Sequence, residues 1–291
     1  MKIFSLSKLT LLNKNKILLY SLIFLLGLLS SFSLPPYDLF YLNFFSYPAL
    51  LWVLLYSKDK IISFYIGWTF GFGYFISNLY WITNSLTFED IFKPLIPFAL
   101  ILIPLFLGLF YGIATLFFSF LNPKKNLLSI LILASSLSIL EYIRSFIFGG
   151  FPWNLISFSF VNYLEFIQLL SLIGTFAFNS LTIILFLLPV ILFFEYKIKI
   201  KISILIFSFI AICTNYYWGK SNLRQYELTE QRDLGFTIKI ISPKININRY
   251  FQNQDPSEFI SELLIFLSQI HQIKQYLFFL KVFSLVFILR I

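Results

Sequence analysis

Cysteine, histidine and methionine are nearly missing from this 291-residue chain, which has one of each: Cys213, His271 and Met1. A single cysteine excludes an intrachain disulfide. One cysteine and one histidine also exclude a metal site built from those two residue types. Charge is scarce: Asp, Glu, Lys and Arg supply 12% of residues, against about a quarter in ordinary soluble domains. No Walker loop, dinucleotide-binding glycine fingerprint or serine-nucleophile elbow occurs, and no cofactor is expected.

What the chain has instead is apolar surface. Hydrophobic residues make up 59% and the mean hydropathy is +0.85. A soluble domain of this length could not hide so much, so the composition implies a multi-pass membrane protein. Phe, Ile, Leu, Asn and Lys are plentiful and Ala is scarce, the bias an A/T-rich genome gives a membrane protein. The net charge is +9. Its basic residues cluster between apolar runs, which points to membrane orientation rather than to nucleic acid.

Seven runs approach the ~20 residues a helix needs to cross a bilayer: 16–34, 38–56, 61–83, 95–121, 127–145, 165–194 and 202–218. Lysines precede the first, but no small-residue cleavage site follows it, so it is expected to be retained. Lys2, Lys8, Lys14, Lys16, Lys58, Lys60, Lys124, Lys125, Lys197, Lys199 and Lys201 fall on one side of this arrangement. Lys93 and Arg144 fall on the other. The positive-inside rule then puts the N-terminus in the cytoplasm and the residues after about 219 outside, in the periplasm of a cell with two membranes. Pro35-Pro36 closes the first hairpin, and Pro104 and Pro189 are expected to bend the spans that hold them.

The composition turns mixed and polar after Gly219. "FTIKIIS" (236–242) alternates like a half-buried strand. "DPSEFISELLIFLSQI" then reads as an amphipathic helix with Asp255 as N-cap, Pro256 at its first position and Glu258 at the capping-box position. A strand followed by a helix begins an α/β domain, but the stretch to residue 275 is too short to finish one.

Two membrane-level segments carry candidate function. In "GWTFGFGYFISNLYWI" (67–82), Gly67, Gly71 and Gly73 are expected on or near one helix side, where small residues let backbones approach. Trp81 ends that span at the surface, either as part of an aromatic belt or as a lipid contact. In "LEYIRSFIFGGFPW", Glu141 and Arg144 lie three apart on one helical face. They could neutralise each other and hold the helix end, or wall a headgroup-binding cavity. Gly149-Gly150 ends the helix and Pro152 fixes an extended turn, leaving Phe151 and Trp153 at the interface. Cys213 lies within the seventh run with no base or positive group near it in sequence, which reads as an inert thiol.

Several pieces, in order, resemble apolipoprotein N-acyltransferases: "SFSLPPYDLF", the glycine-rich span, "EYIRSFIFGGFPWN", "IQLLSLIGTFAFN" and "ISPKININRYF". The resemblance covers about residues 17–275. It implies a multi-pass α-helical membrane bundle of about seven spans (1–218) followed by the incomplete start of a periplasmic α/β nitrilase-like domain (219–275). It further implies the partners: a membrane phospholipid as acyl donor and a diacylated apolipoprotein as acceptor, in the bacterial inner membrane. A cysteine thiolate would take the acyl chain as a thioester and pass it to the α-amine of the diacylglyceryl-cysteine. A glutamate would serve as general base and a lysine as oxyanion donor. Trp153, Phe151, Pro152, Glu141, Arg144 and Trp81 become candidate lipid-binding residues, with Trp153 on a hydrophobic lip and Glu141 and Arg144 bracing the helix end behind it.

The departures are specific. Ser242, Lys244, Ile247, Tyr250 and Phe251 stand where the family usually has Gln, Asn, Gln, Lys and Trp. No residue matches the catalytic Glu, Lys or Cys, and Cys213 lies in the wrong part of the chain, so no catalytic residue is assigned. "YLFF" (276–279) fits the strand that should lead to Trp-Pro-Glu, and then the pattern stops. Pro-Glu-Gly written CCT-GAA-GGT, read one base along, begins with codons for Leu, Lys and Val, the identities of Leu280, Lys281 and Val282. The expectation is that 276–291 is an out-of-frame tail and the chain an inactive, truncated product. A small membrane transporter and a non-catalytic scaffold are the competing readings.

The lysine distribution makes a direct prediction. A reporter active only in the periplasm, fused at residue 250, is active; activity there of a reporter that works only in the cytoplasm contradicts the orientation.

Overall fold

The computed structural model describes residues 15–57 and 59–228, and the backbones of three strands beyond them. The described chain is dominated by helices, as an apolar solvent requires: a helix satisfies its backbone N–H and C=O groups within its own segment. They are α1 Lys16–Ser31, α2 Asn43–Tyr56, α3 Lys60–Asn78, α4 Ile96–Phe120, α5 Leu127–Arg144, the one-turn α6 Leu164–Ile167 and α7 Leu170–Ile173, α8 Thr175–Leu187 and α9 Ile198–Leu228. Side chains set some of the starts. Asn15 Oδ1 accepts from Leu18 N at 3.3 Å, and Asp59 Oδ1 accepts from Ile61 N at 2.7 Å and Ile62 N at 3.2 Å.

Helices coincide with all seven apolar runs, with differences at the ends. Four helical stretches, 90–120, 127–144, 175–193 and 198–228, are long and apolar enough to cross a membrane. Lys16–Ser31 and Phe40–Tyr56 are shorter apolar helices. The run at 165–194 is not one helix. It breaks into α6 and α7 at Gln168–Leu169, and into α7 and α8 at Gly174, whose φ of +79° suits glycine. At Pro189, α8 passes into a 3-10 helix, Leu188–Phe193. The run at 202–218 is only the middle of α9, because the polar residues after Gly219 are good helix formers and no proline stops them.

The helices of the bundle pack as a closed ring. α1 packs on α3, α3 on α4, α4 on α5, α5 on α8, α8 on α2, and α2 returns to α1. The buried core between them includes Tyr47, Leu50, Phe70, Tyr74, Tyr111, Leu133 and Phe186. The glycine-rich span makes its close approaches on two sides rather than one. A Cβ on Gly67 would meet the Thr115 side chain and the Tyr111 carbonyl of α4, whereas one on Gly73 would overlap the Phe24 carbonyl of α1. The reason is helical geometry. Residues four apart share a face, so Gly71 stays beside Gly67, but Gly73 lies two residues on and about 200° around the axis. α9 stands against α6, with Asn215 Nδ2 donating to the Phe166 carbonyl at 3.1 Å and Tyr216 against the Phe166 ring.

A second unit comprises residues 84–94 and 227–291. Its described strands are β1 Ile238–Ile241, β2 Gln275–Leu280 and β3 Leu285–Arg290, in the order β1-β3-β2. β3 pairs antiparallel with both neighbours, Ile238 opposite Leu289 and Gln275 opposite Arg290, so β1 and β2 run in the same direction. β3 falls in the segment expected to be out of frame. Its run of Leu, Val, Phe and Ile has strand propensity whatever its origin. The helix expected over 255–270 and the residues 242–251 lie outside the described residues.

The ring predicts that Gly73→Leu destabilises the bundle by about 3 kcal/mol or more, because the obstruction is backbone and cannot turn aside. Exposed Phe117→Leu should change stability by less than about 0.5 kcal/mol. Thermal unfolding in detergent distinguishes them; equal midpoints would refute the close α1–α3 contact.

Candidate functional site

The end of α5 gathers the polar groups of the bundle. Glu141 and Arg144 are each 1% exposed, although they stand on a helix that is apolar along most of its length. Buried charge in such surroundings is costly unless other groups meet it. Glu141 is met from two other helices. Tyr111 of α4 donates its hydroxyl to Glu141 Oε1 at 2.9 Å, and Asn179 of α8 donates Nδ2 to Oε2. Asn179 Oδ1 in turn accepts the backbone N–H of Ser157 at 3.0 Å. One carboxylate thus joins α4, α5, α8 and the loop after the turn.

Arg144 does different work. Its Nη1 donates to the carbonyls of Phe151 at 2.8 Å and Trp153 at 2.9 Å. The Phe151 N–H donates back to the Arg144 carbonyl at 3.0 Å. The chain can turn so sharply because Gly149 and Gly150 both take positive φ, +86° and +81°. Tyr74 of α3 adds a third tie, its hydroxyl donating to the Asn154 carbonyl at 3.0 Å. The guanidinium also lies over the rings of Phe75 and Phe151, 5.2 and 5.7 Å from their centroids.

This corrects the simpler view of Glu141 and Arg144 as a pair that neutralises itself. They share a face, but no ion pair joins them; among the described residues the ion pair is Lys93 with Asp90. Each charge reaches a different part of the structure, the carboxylate toward the helices and the guanidinium toward the turn.

Two clefts flank the turn. One, of about 510 Å³, is lined by Pro35, Pro36, Tyr37, Trp81, Trp153 and Asn154, among others. Trp81 and Trp153 face each other across 5.6 Å, and Phe151 lies 5.4 Å from Trp153. The other, of about 380 Å³, has Arg144, Gly150 and Phe151 on one side and Leu102, Ile103 and Phe106 of α4 on the other. Of the six candidate residues, Trp81 and Trp153 therefore meet in one cleft, and Phe151 and Arg144 line the second. Glu141 is sealed behind them, and Pro152, exposed on the turn, lines neither.

Sequence reasoning missed Tyr74, Tyr111 and Asn179. A signal existed for one of them: an asparagine in an apolar helix marks a packed polar contact. The tyrosines could not be separated from the many aromatics around them. Cys213 lies half-buried on α9. Among the described residues, no three His, Cys, Asp or Glu side chains come together to hold a metal.

Ring-packed apolar helices, closed over a polar centre that ties down a turn, define a polytopic membrane protein with two clefts beside that turn. The family model for the apolipoprotein N-acyltransferase N-terminal domain matches residues 26–188, more than half of the chain. The chain therefore belongs to the apolipoprotein N-acyltransferase family. It is 34% identical over 179 residues to the apolipoprotein N-acyltransferase of Brucella melitensis, a match covering 58% of this chain and 34% of that one. It is 30% identical over 249 residues to that of Agrobacterium fabrum, covering 82% and 46%. To that of Allorhizobium ampelinum it is 35% identical over 176 residues, covering 57% and 33%. The matches span between a third and a half of the length of these relatives.

The polar centre predicts that Asn179→Leu costs about 3 kcal/mol, since it strips a donor from a buried carboxylate and an acceptor from the Ser157 amide. Chemical or thermal unfolding of the variant beside Ser180→Ala measures this; equal stability would show that the network carries little.

Proposed function

We propose that this bundle is the lipid-handling membrane part of a phospholipid-dependent N-acyltransferase acting on apolipoproteins. Family membership supports the reaction class. The observation that carries the lipid role is the cleft closed by Trp81 and Trp153, which offers an aromatic wall with indole N–H groups beside apolar helices. An acyl chain could enter such a mouth from the bilayer while the headgroup stays at the surface. The turn at 149–154 would hold Trp153 in place through Arg144.

On this reading the acyl chain moves from the phospholipid to a cysteine thiolate and then to the α-amine of the diacylglyceryl-cysteine of an apolipoprotein. The first step breaks the lipid ester, forms a thioester and releases a lysophospholipid. The second forms an amide and regenerates the thiol. The Glu, Lys and Cys of that chemistry have no match in these 291 residues, so this stretch by itself is proposed not to carry out the transfer. The N-terminus is proposed to face the cytoplasm and the residues after about 219 the periplasm.

Two outcomes test this. The purified 291-residue chain should leave a diacylated lipopeptide unacylated in the presence of phosphatidylethanolamine. Joined to a family catalytic domain that restores turnover, the same bundle with Trp153→Ala should show a roughly tenfold lower kcat/KM for phospholipid. Acylation by the chain alone, or an indifferent Trp153, would contradict the reading.

A further inference from the structure

Arg144 makes both of its hydrogen bonds through one nitrogen. Nη1 serves the Phe151 and Trp153 carbonyls, while Nε and Nη2 are buried with no hydrogen-bond partner among the described residues. Among the described residues no carboxylate lies within ion-pair distance of the guanidinium, and both oxygens of Glu141 are engaged by Tyr111 and Asn179. Nε and Nη2 form one edge of the planar guanidinium, whose two parallel N–H bonds fit two oxygens of a phosphate or carboxylate. This edge is the part of the buried cation whose hydrogen-bonding capacity is left over.

The surroundings narrow the choice of anion. Arg144 is a lining residue of the 380 Å³ cleft, which is otherwise walled mainly by apolar side chains. On the α4 side, Leu102 is 58% and Phe106 42% exposed, so the cleft runs out onto the apolar flank of the bundle. A free inorganic ion would find one polar side chain and a hydrophobic wall. An amphiphile would find both of its halves matched.

We propose that the cleft between α4 and the 147–151 turn is a glycerophospholipid site in which the Nε–Nη2 edge of Arg144 binds the phosphodiester and an acyl chain lies along Leu102, Ile103 and Phe106. It is separate from the Trp81–Trp153 cleft, which opens on the other side of the same turn. Lipid binding here would complete the hydrogen bonding of the residue that holds Trp153, so occupancy of one cleft would steady the wall of the other. The inference rests on the reading that the bundle handles phospholipid, but its test reads lipid retention and not acyl transfer.

The chain is delipidated in detergent, mixed with phosphatidylethanolamine or with dioleoylglycerol, passed through a sizing column, and its retained lipid quantified by extraction. Measured in a Trp153→Ala background that weakens the other cleft, the chain should keep about one phospholipid per molecule and no diacylglycerol, and excess inorganic phosphate should not displace the lipid. In that same background Arg144→Gln and Ile103→Trp should each reduce retention about tenfold or more, the first by removing the fork and the second by filling the cleft. The Trp substitution leaves every contact of Arg144 in place, so it reports on the cleft even where Arg144→Gln loosens the turn. Retention by Arg144→Gln at the level of that background, equal retention of diacylglycerol, displacement by phosphate, or an unaffected Ile103→Trp would each overturn the proposal. Retention as expected without any effect of Trp153→Ala on acyl transfer would leave this site standing and remove the functional reading above.

Discussion

Charge buried in an apolar bundle needs hydrogen-bond partners, and much of the structure around α5 follows from the way Glu141 and Arg144 find theirs. Glu141 and Arg144 sit one helical turn apart at 1% exposure. The carboxylate is met by Tyr111 and Asn179, which ties α5 to α4 and α8. The guanidinium is met by two backbone carbonyls, which fastens a turn that would otherwise leave those C=O groups unpaired. Removing either charge therefore costs more than one contact, because its partners are buried as well.

The same arrangement explains why a pair of glycines, a proline and two aromatics follow the helix. Gly149 and Gly150 let the chain reverse within reach of the Arg144 side chain. Pro152 has no N–H to satisfy between the two carbonyls that Arg144 uses. Phe151 and Trp153 touch each other but line different clefts, the first beside the guanidinium and the second against Trp81. A single turn thereby contributes to two clefts, and one side chain fastens that turn.

Much of this was legible in the sequence. Seven apolar runs located the helices, and an acidic and a basic residue three apart beside Gly-Gly-Phe-Pro-Trp located the polar centre. The partners were not legible. Local spacing puts Glu141 and Arg144 on one face but cannot say that they diverge, because that depends on Tyr111, Asn179 and the returning turn, tens of residues away in some cases. The break of the sixth run failed for a similar reason. Gly174 lies within unbroken hydrophobicity, so the hydropathy pattern is silent about a change of direction that its positive φ makes possible. Gly73 was grouped with Gly67 by composition, whereas the helical angle sends it toward α1.

The central claim is that Arg144 positions the turn and with it the tryptophan wall. Amide hydrogen exchange of the chain in lipid nanodiscs, comparing wild type with Arg144→Lys, tests it directly. Lysine keeps the charge but lacks the planar fork. The account predicts faster exchange confined to residues 149–157, with the helices of the ring unchanged. Exchange at those residues equal to that of wild type would contradict it.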